Sequence, residues 1–190
     1  MTMTENFLDL DGVESSDIKI VFSGPVGAGK SQAIRTVSDI EVVQTDVVAT
    51  DEVQDSKETT TVAMDYGELQ LDADTTLALY GTPGQERFRF MWDILIKGAL
   101  GVVLMVDDSA PDPLGDLETY LQNFSHHIAQ STAVVGVTHT DVAASSGMEK
   151  YYEYMEQKGY FFPIYPIDAR KAEDVNLLLQ SLTAMLEIGG

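Results

Sequence analysis

From Ile18 onward the chain falls into blocks in which apolar residues recur with a period of two or of about 3.6, separated by turn-forming residues. Ile18–Ser23 reads as a short buried strand. A glycine-rich turn follows, then a helix from about Lys30 to Ser38. Glu41–Lys57 is polar and acidic with scattered valines, which predicts a long loop. Thr61–Leu71 and Thr75–Tyr80 flank Asp72-Ala73-Asp74 and predict a hairpin. Arg87–Lys97 has helical spacing, and Leu100–Val106 is unbroken apolar sequence, as a strand buried on both faces requires. Leu114–Ala129 predicts an amphipathic helix, Ala133–Thr138 a buried strand, and Ser146–Lys158 another helix. Ile164–Ile167 makes a last strand and Glu173–Ile188 a last helix. Strands alternating with helices imply the α/β class: a doubly wound, mostly parallel sheet with one antiparallel hairpin at its edge.

Residues 1–16 carry Glu5, Asp9, Asp11 and Glu14 without a core-forming run. They predict a flexible acidic leader ahead of a single domain over residues 17–190. That stretch has neither the basic nor the apolar region of a secretion signal, and no run approaches the roughly 20 apolar residues of a spanning helix. Hydrophobic residues make up 44% of the chain, enough for a substantial core. Cysteine is absent, which excludes disulfides and thiolate metal sites and fits a cytoplasmic location.

Charge changes the picture more. There are 31 Asp and Glu against 11 Lys and Arg, a formal net charge of −20. Such a field repels nucleic-acid backbones and anionic lipid, so neither is an expected partner, and the acidity reads as a solubility device. A polyphosphate ligand needs a local positive site built against that field.

Gly24-Pro25-Val26-Gly27-Ala28-Gly29-Lys30-Ser31 supplies one. It matches G-x-x-x-x-G-K-[ST] and lies between a predicted strand and a predicted helix, where a phosphate loop belongs. Glycines let successive N–H groups turn inward around a phosphate, and the following helix adds its N-terminal dipole. Lys30 places a full charge on the outer phosphates. Ser31 offers a hydroxyl oxygen to Mg²⁺, and Gln32 completes the cradle. By itself this loop does not separate a switch from a kinase or an ATPase.

Gly81-Thr82-Pro83-Gly84-Gln85-Glu86-Arg87-Phe88 follows a strand and leads into a helix. It resembles the D-T-A-G-Q-E-R-F switch segment of Ras and Rab GTPases. Other stretches fall in that family's order. Thr61-Val62-Ala63-Met64-Asp65-Tyr66 is similar to T-I-G-V-D-F, and Lys97-Gly98-Ala99 to R-G-A. Thr138-His139-Thr140-Asp141 is similar to [NT]-K-x-D, and Asp168-Ala169-Arg170 to S-A-K. The resemblance runs from about Ile18 to Leu186 and implies a small G-domain of the P-loop NTPase class. It further implies GTP/GDP and Mg²⁺ as ligands, with Ser31 and Thr61 on the metal. Gly84 would meet the γ-phosphate through its N–H, Gln85 would orient the attacking water, and Lys30 would assist catalysis. Thr138, His139, Asp141, Ala169 and Arg170 would surround the base. A carboxylate at Asp141 accepts from two guanine donors that adenine lacks.

The sequence departs from the family at four places. Gly81 stands where the family has an aspartate, Pro83 replaces alanine, His139 replaces lysine, and Asp168 replaces serine. T-P-G-Q with T-H-T-D resembles the bacterial Ras-like group that includes the gliding-motility switches, which implies a roadblock-type regulator among the partners. His139 reads equally as a base-packing residue and as a surface histidine. Trp92, Phe88 and Phe90 read as core or as a partner-facing surface, and Arg87 and Arg89 are the arginines nearest Gln85. With no arginine between Thr36 and Thr61, slow intrinsic hydrolysis accelerated by a partner protein is expected. Thr2 is not a myristoylated glycine and the C-terminal residues hold no cysteine, so no lipid anchor is expected. The leading expectation is a GTP-hydrolysing switch whose loops signal to an effector. Its rivals are a phosphotransferase acting on a small acceptor and a nucleotide-binding module without turnover.

Overall fold

The computed structural model describes residues 18–50, 59–73, 75–143 and 147–188, with side chains left out at 45–50, 59–62 and 186–188. The leader expected over residues 1–16 lies outside the described residues. The elements are β1 (Ile18–Ser23), α1 (Lys30–Val37), β2 (Val43–Thr50), β3 (Thr59–Gln70) and β4 (Thr76–Gly81). A 3-10 turn at Glu86–Phe88 leads into α2 (Arg89–Leu95). Then come β5 (Gly101–Asp107), α3 (Pro113–Asn123), α4 (Ser125–Ile128), β6 (Thr132–Thr138), α5 (Glu149–Lys158), β7 (Ile164–Pro166) and α6 (Ala172–Ile188). The sheet order is β2-β3-β4-β1-β5-β6-β7, antiparallel across β2-β3-β4 and parallel from β4 to β7.

Period-two alternation sorts each central strand between two cores. Ile20, Phe22, Leu77, Leu79, Val103, Met105 and Val134 face α1 and α6. Val21, Ala78, Tyr80, Val102, Leu104, Val106, Ala133 and Val135 face α2 to α5. Leu178 of α6 presses so closely on β6 that a Cβ at Gly136 would lie 2.9 Å from its Cδ1.

Two expectations need correction. The long loop expected over Glu41–Lys57 begins instead as β2, paired antiparallel with β3 from Val43↔Tyr66 to Thr50↔Thr59. Val43, Thr45, Val47, Val48 and Thr50 are β-branched, and the interspersed polar residues suit an edge strand with one open side. The helix expected over Leu114–Ala129 divides at Phe124, whose backbone leaves helical geometry while its ring is buried beside Trp92. Core packing overrides the helical period there. α3 itself starts where its sequence says, with Pro113 in the first turn and the Asp112 carboxylate accepting from the Gly115 N–H at 3.0 Å. Among the described residues, no helix is long and apolar enough to cross a membrane.

Leu178 is fully buried between α6 and β6. Leu178→Ala is expected to cost about 2–5 kcal/mol of stability, read as a lowered urea midpoint with an unchanged slope.

Candidate nucleotide site

Five segments leave the carboxyl ends of parallel strands on one edge of the sheet, around the point where β1 lies between β4 and β5. An open α/β sheet takes its ligands there. The loop after β1 has the backbone the motif demands: Gly24, Gly27 and Gly29 have φ of 150°, 86° and 92°. A Cβ at Gly24 would collide with the Met105 carbonyl, so the loop depends on glycine sterically as well as conformationally. Pro25 accepts from the Ala28 N–H at 3.3 Å, and Val26 stands exposed at the loop's tip.

Lys30 is buried at the start of α1. Its Nζ donates to the Gly24 and Pro25 carbonyls, both at 2.7 Å. An ammonium has three protons, so these two bonds leave one for an anion in the loop. Burial lowers the Lys30 pKa to about 8 against a partial opposing pull from the Asp65 carboxylate. Ser31 donates its hydroxyl proton to Asp65 Oδ2. Gln32 is half-buried and its Nε2 reaches Thr36 Oγ1 at 3.0 Å.

The sequence marks Asp65 only as part of the stretch similar to T-I-G-V-D-F, yet it occupies a key position. It lies in β3 directly opposite Gly81 of β4 and is buried. A Cβ at Gly81 would sit 3.2 Å from Asp65 Oδ2 and 3.0 Å from Ile34 Cδ1. The Asp65 carboxylate therefore fills the volume that a side chain at Gly81 would need. Two complementary positions on neighbouring strands were the available signal, and only their register joins them. Thr61 lies in β3 opposite Val48, within a ladder rather than a loop, and its side chain is outside the described residues.

Gly84 rests on the phosphate loop: a Cβ there would lie 2.5 Å from Val26 N and 2.9 Å from Lys30 Nζ. Gln85 next to it is exposed. Arg89 pairs with Glu86 at 3.0 Å and Arg87 stacks over Phe88, so both arginines near Gln85 already have local partners. Phe88 and Trp92 are core residues, whereas Phe90 is exposed.

A cavity of about 500 Å³ extends from Gly27, Gly29 and Gln32 to walls made by Thr138–Val142 and Pro166–Lys171. It brings Thr138, His139, Asp141, Ala169 and Arg170 together along its walls. The Thr138 hydroxyl lies 3.1 Å from the carbonyls of both Ala28 and Val106, tying this wall to the phosphate loop. His139 takes a left-handed φ of 56°, which histidine tolerates better than most residues. Its Nδ1 lies 3.1 Å from Asp107, a contact the sequence did not signal. Opposite, Asp168 holds Arg170 in a two-point fork, both bonds at 2.8 Å, and this bond drives the Asp168 pKa well below the usual carboxylate range. Asp168 thus fixes the guanidinium at the cavity's rim. Ala169 is buried beneath it, its carbonyl accepting from Thr36 at 2.7 Å.

A model of the family described as conserved hypothetical ATP-binding proteins matches residues 22–188. The chain belongs to that family. It is also 29% identical over 107 residues to Ras-related protein Rab-18 of Lymnaea stagnalis, covering 55% of this chain and 47% of that protein. With Rab-18-B of Danio rerio the identity is 28% over 120 residues, 62% and 53% of the two chains. With GTP-binding protein yptV2 of Volvox carteri it is 26% over 117 residues, 60% and 48%. The chain spans about half the length of the curated relatives it matches. Distant homology to Ras-related Rab GTPases and the family match agree on a nucleotide-binding protein with this α/β fold.

The lowered Lys30 pKa carries a pH prediction. An anionic phosphate favours charged Lys30, so above about pH 8 the free protein must take up a proton as it binds. Nucleotide affinity is expected to fall by up to about tenfold per pH unit from about pH 8 upward. Lys30→Arg, whose guanidinium stays charged, should bind more weakly yet lose that pH dependence. Titration calorimetry across pH reads both.

Proposed function

We propose that this protein is a cytoplasmic GTP-binding and GTP-hydrolysing switch. The observation that supports it best is the continuity of one edge. A glycine cradle with Lys30 leads at one end to Gly84 and Gln85, and at the other into a cavity walled by Asp141, His139 and Arg170. Phosphates occupy the cradle from Gly24 to Gln32, and the base enters the cavity. Asp141, exposed on the cavity wall, accepts from the two guanine donors. His139 and Arg170 pack on the base, and the Ala169 N–H serves its oxygen. Gly84 senses the terminal phosphate and Gln85 orients water. Protein partners, an effector and an activator, read the two loops. The similarity of T-P-G-Q and T-H-T-D to the gliding-motility switches makes a roadblock-type protein the activator to test. The family's description names ATP, and an adenine preference is the competing reading.

Mg²⁺ fits the residues present. Among the described residues no three His, Asp or Glu side chains converge as a metal group, but Mg²⁺ on a nucleotide needs few protein oxygens. Ser31 gives its proton to Asp65, which leaves the hydroxyl lone pairs free for the cation and sets a carboxylate beside it. Asp65 would take the role of the aspartate missing at Gly81, and Thr61, four residues further along the extended β3 ladder, would serve as a further ligand only if the start of β3 left its pairing with β2. The cation, when bound, neutralises charge on the phosphates. Lys30 holds the phosphates in place, and the Pro25 and Gly24 carbonyls hold Lys30.

Competition binding tests the base. GTP should displace a labelled guanine nucleotide far better than ATP does. Asp141→Asn should weaken GTP by about 2–4 kcal/mol, roughly 30- to 1000-fold. ATP matching GTP in the parent protein would overturn the guanine reading, and ATP competing better than GTP would favour the adenine one.

A separate measurement addresses the metal. In the parent, chelating Mg²⁺ should speed GDP release by about tenfold or more, while Asp65→Ala should release GDP fast with or without Mg²⁺. If Asp65→Ala keeps the full Mg²⁺ effect, the carboxylate lies elsewhere.

A further inference from the structure

The segment Thr82–Gly84 is tied down along its length. The Thr82 N–H donates to the Phe22 carbonyl at 2.9 Å, and the Thr82 and Ser23 hydroxyls meet at 2.8 Å. The next two carbonyls are held by aromatic side chains from two different helices. Trp92 of α2 donates its indole Nε1–H to Pro83 O at 2.7 Å, and Tyr120 of α3 donates its hydroxyl to Gly84 O at 3.1 Å. Both side chains are buried and packed against one another at a tilt, ring centroids 4.6 Å apart, and Phe124 stacks on both.

Peptide geometry turns these two bonds into a statement about the opposite face. All peptides among the described residues are trans, so each C=O points away from the N–H of the following residue. Anchoring Pro83 O toward α2 directs the Gly84 N–H the other way, and anchoring Gly84 O toward α3 does the same for Gln85. On that other side lies the phosphate loop, within contact of Gly84 at Pro25, Val26 and the Lys30 ammonium. We infer that Trp92 and Tyr120 are positioning residues that aim the Gly84 and Gln85 N–H groups at a terminal phosphate, and so set the preference for nucleoside triphosphate over diphosphate. The inference rests on the proposed nucleotide site and adds to it the residues that decide which phosphorylation state is recognised.

The chemistry suits the role. Burial, with Asp116 and Glu86 nearby, raises the Tyr120 pKa above its ordinary value, so the phenol stays a protonated donor. Diphosphate never reaches these two N–H groups, whereas triphosphate needs them fixed in advance. Trp92 is the chain's single tryptophan, so its emission reports the clamp directly.

The test uses Trp92→Phe and Tyr120→Phe, which keep an aromatic ring and lose the donor, with Phe124→Leu as a packing control. Binding of GDP and of a non-hydrolysable GTP analogue is measured for each variant. In both donor variants the analogue's affinity is expected to fall about tenfold relative to GDP, with GDP within about twofold of the parent. Phe124→Leu should leave that ratio unchanged. Parallel losses of both nucleotides, or an equal change in Phe124→Leu, would reduce the pair to ordinary packing and overturn the inference. Amide exchange without nucleotide separates this from failure of the nucleotide reading. Exchange at Gly84 and Gln85 should quicken in the two donor variants alone, and unchanged exchange overturns the clamp whatever the protein binds.

Discussion

A buried ammonium in a strongly acidic chain is the constraint on which the rest of this site depends. Lys30 has to stay charged in a place that strips it of water, and burial already lowers its pKa to about 8. Two backbone carbonyls and the nearby Asp65 carboxylate oppose that loss. The carbonyls are presented only because Gly24, Gly27 and Gly29 bend the loop through backbone angles closed to most residues. Remove any of these and the positive charge set into this loop against a net charge of −20 loses its support.

The surroundings of Lys30 are organised as a chain of neighbours. Asp65 accepts a hydrogen bond from the Ser31 hydroxyl and fills the space left by Gly81. Thr138 ties the loop at Ala28 to the far cavity wall, and Thr36 of α1 reaches Ala169 on the opposite wall. The glycine loop and the cavity are therefore held in register by the hydroxyls of buried Thr138 and half-buried Thr36. A second buried group, Asp108, braces the same wall from outside. Its N–H donates to Thr138 O, while its carboxylate receives Tyr151 at 2.5 Å and Lys150 at 2.6 Å from α5. Both ends of the segment carrying Asp141 are fixed this way.

The departures from the Ras pattern look different once packed. Gly81 is no simple loss, since a carboxylate on the next strand stands in its place. Asp168, where the family has serine, organises Arg170 through a bidentate bond. His139 leans on Asp107 at the end of β5. At Gly81 and Asp168 the packed chain supplies a neighbouring carboxylate and a two-point ion pair that the motif comparison does not show.

Local sequence determined much of this protein. The phosphate-loop motif, the period-two strands and the apolar β5 run are short-range patterns, and they carry the α/β architecture and the glycine loop with Lys30 and Ser31. β2 escaped because polar residues interrupt its β-branched positions without a period of two. The Phe124 break escaped because helical periodicity cannot see an aromatic ring drawn into a neighbouring helix's core. In the sequence Asp65 is one residue of a resembling stretch, Trp92 a core or partner-facing aromatic, and Tyr120 an unmarked helix residue. Their roles depend on a strand register and on crossings between α2, α3 and the Pro83-Gly84 peptides. Those are relations between residues far apart in the chain, and only the folded packing decides them.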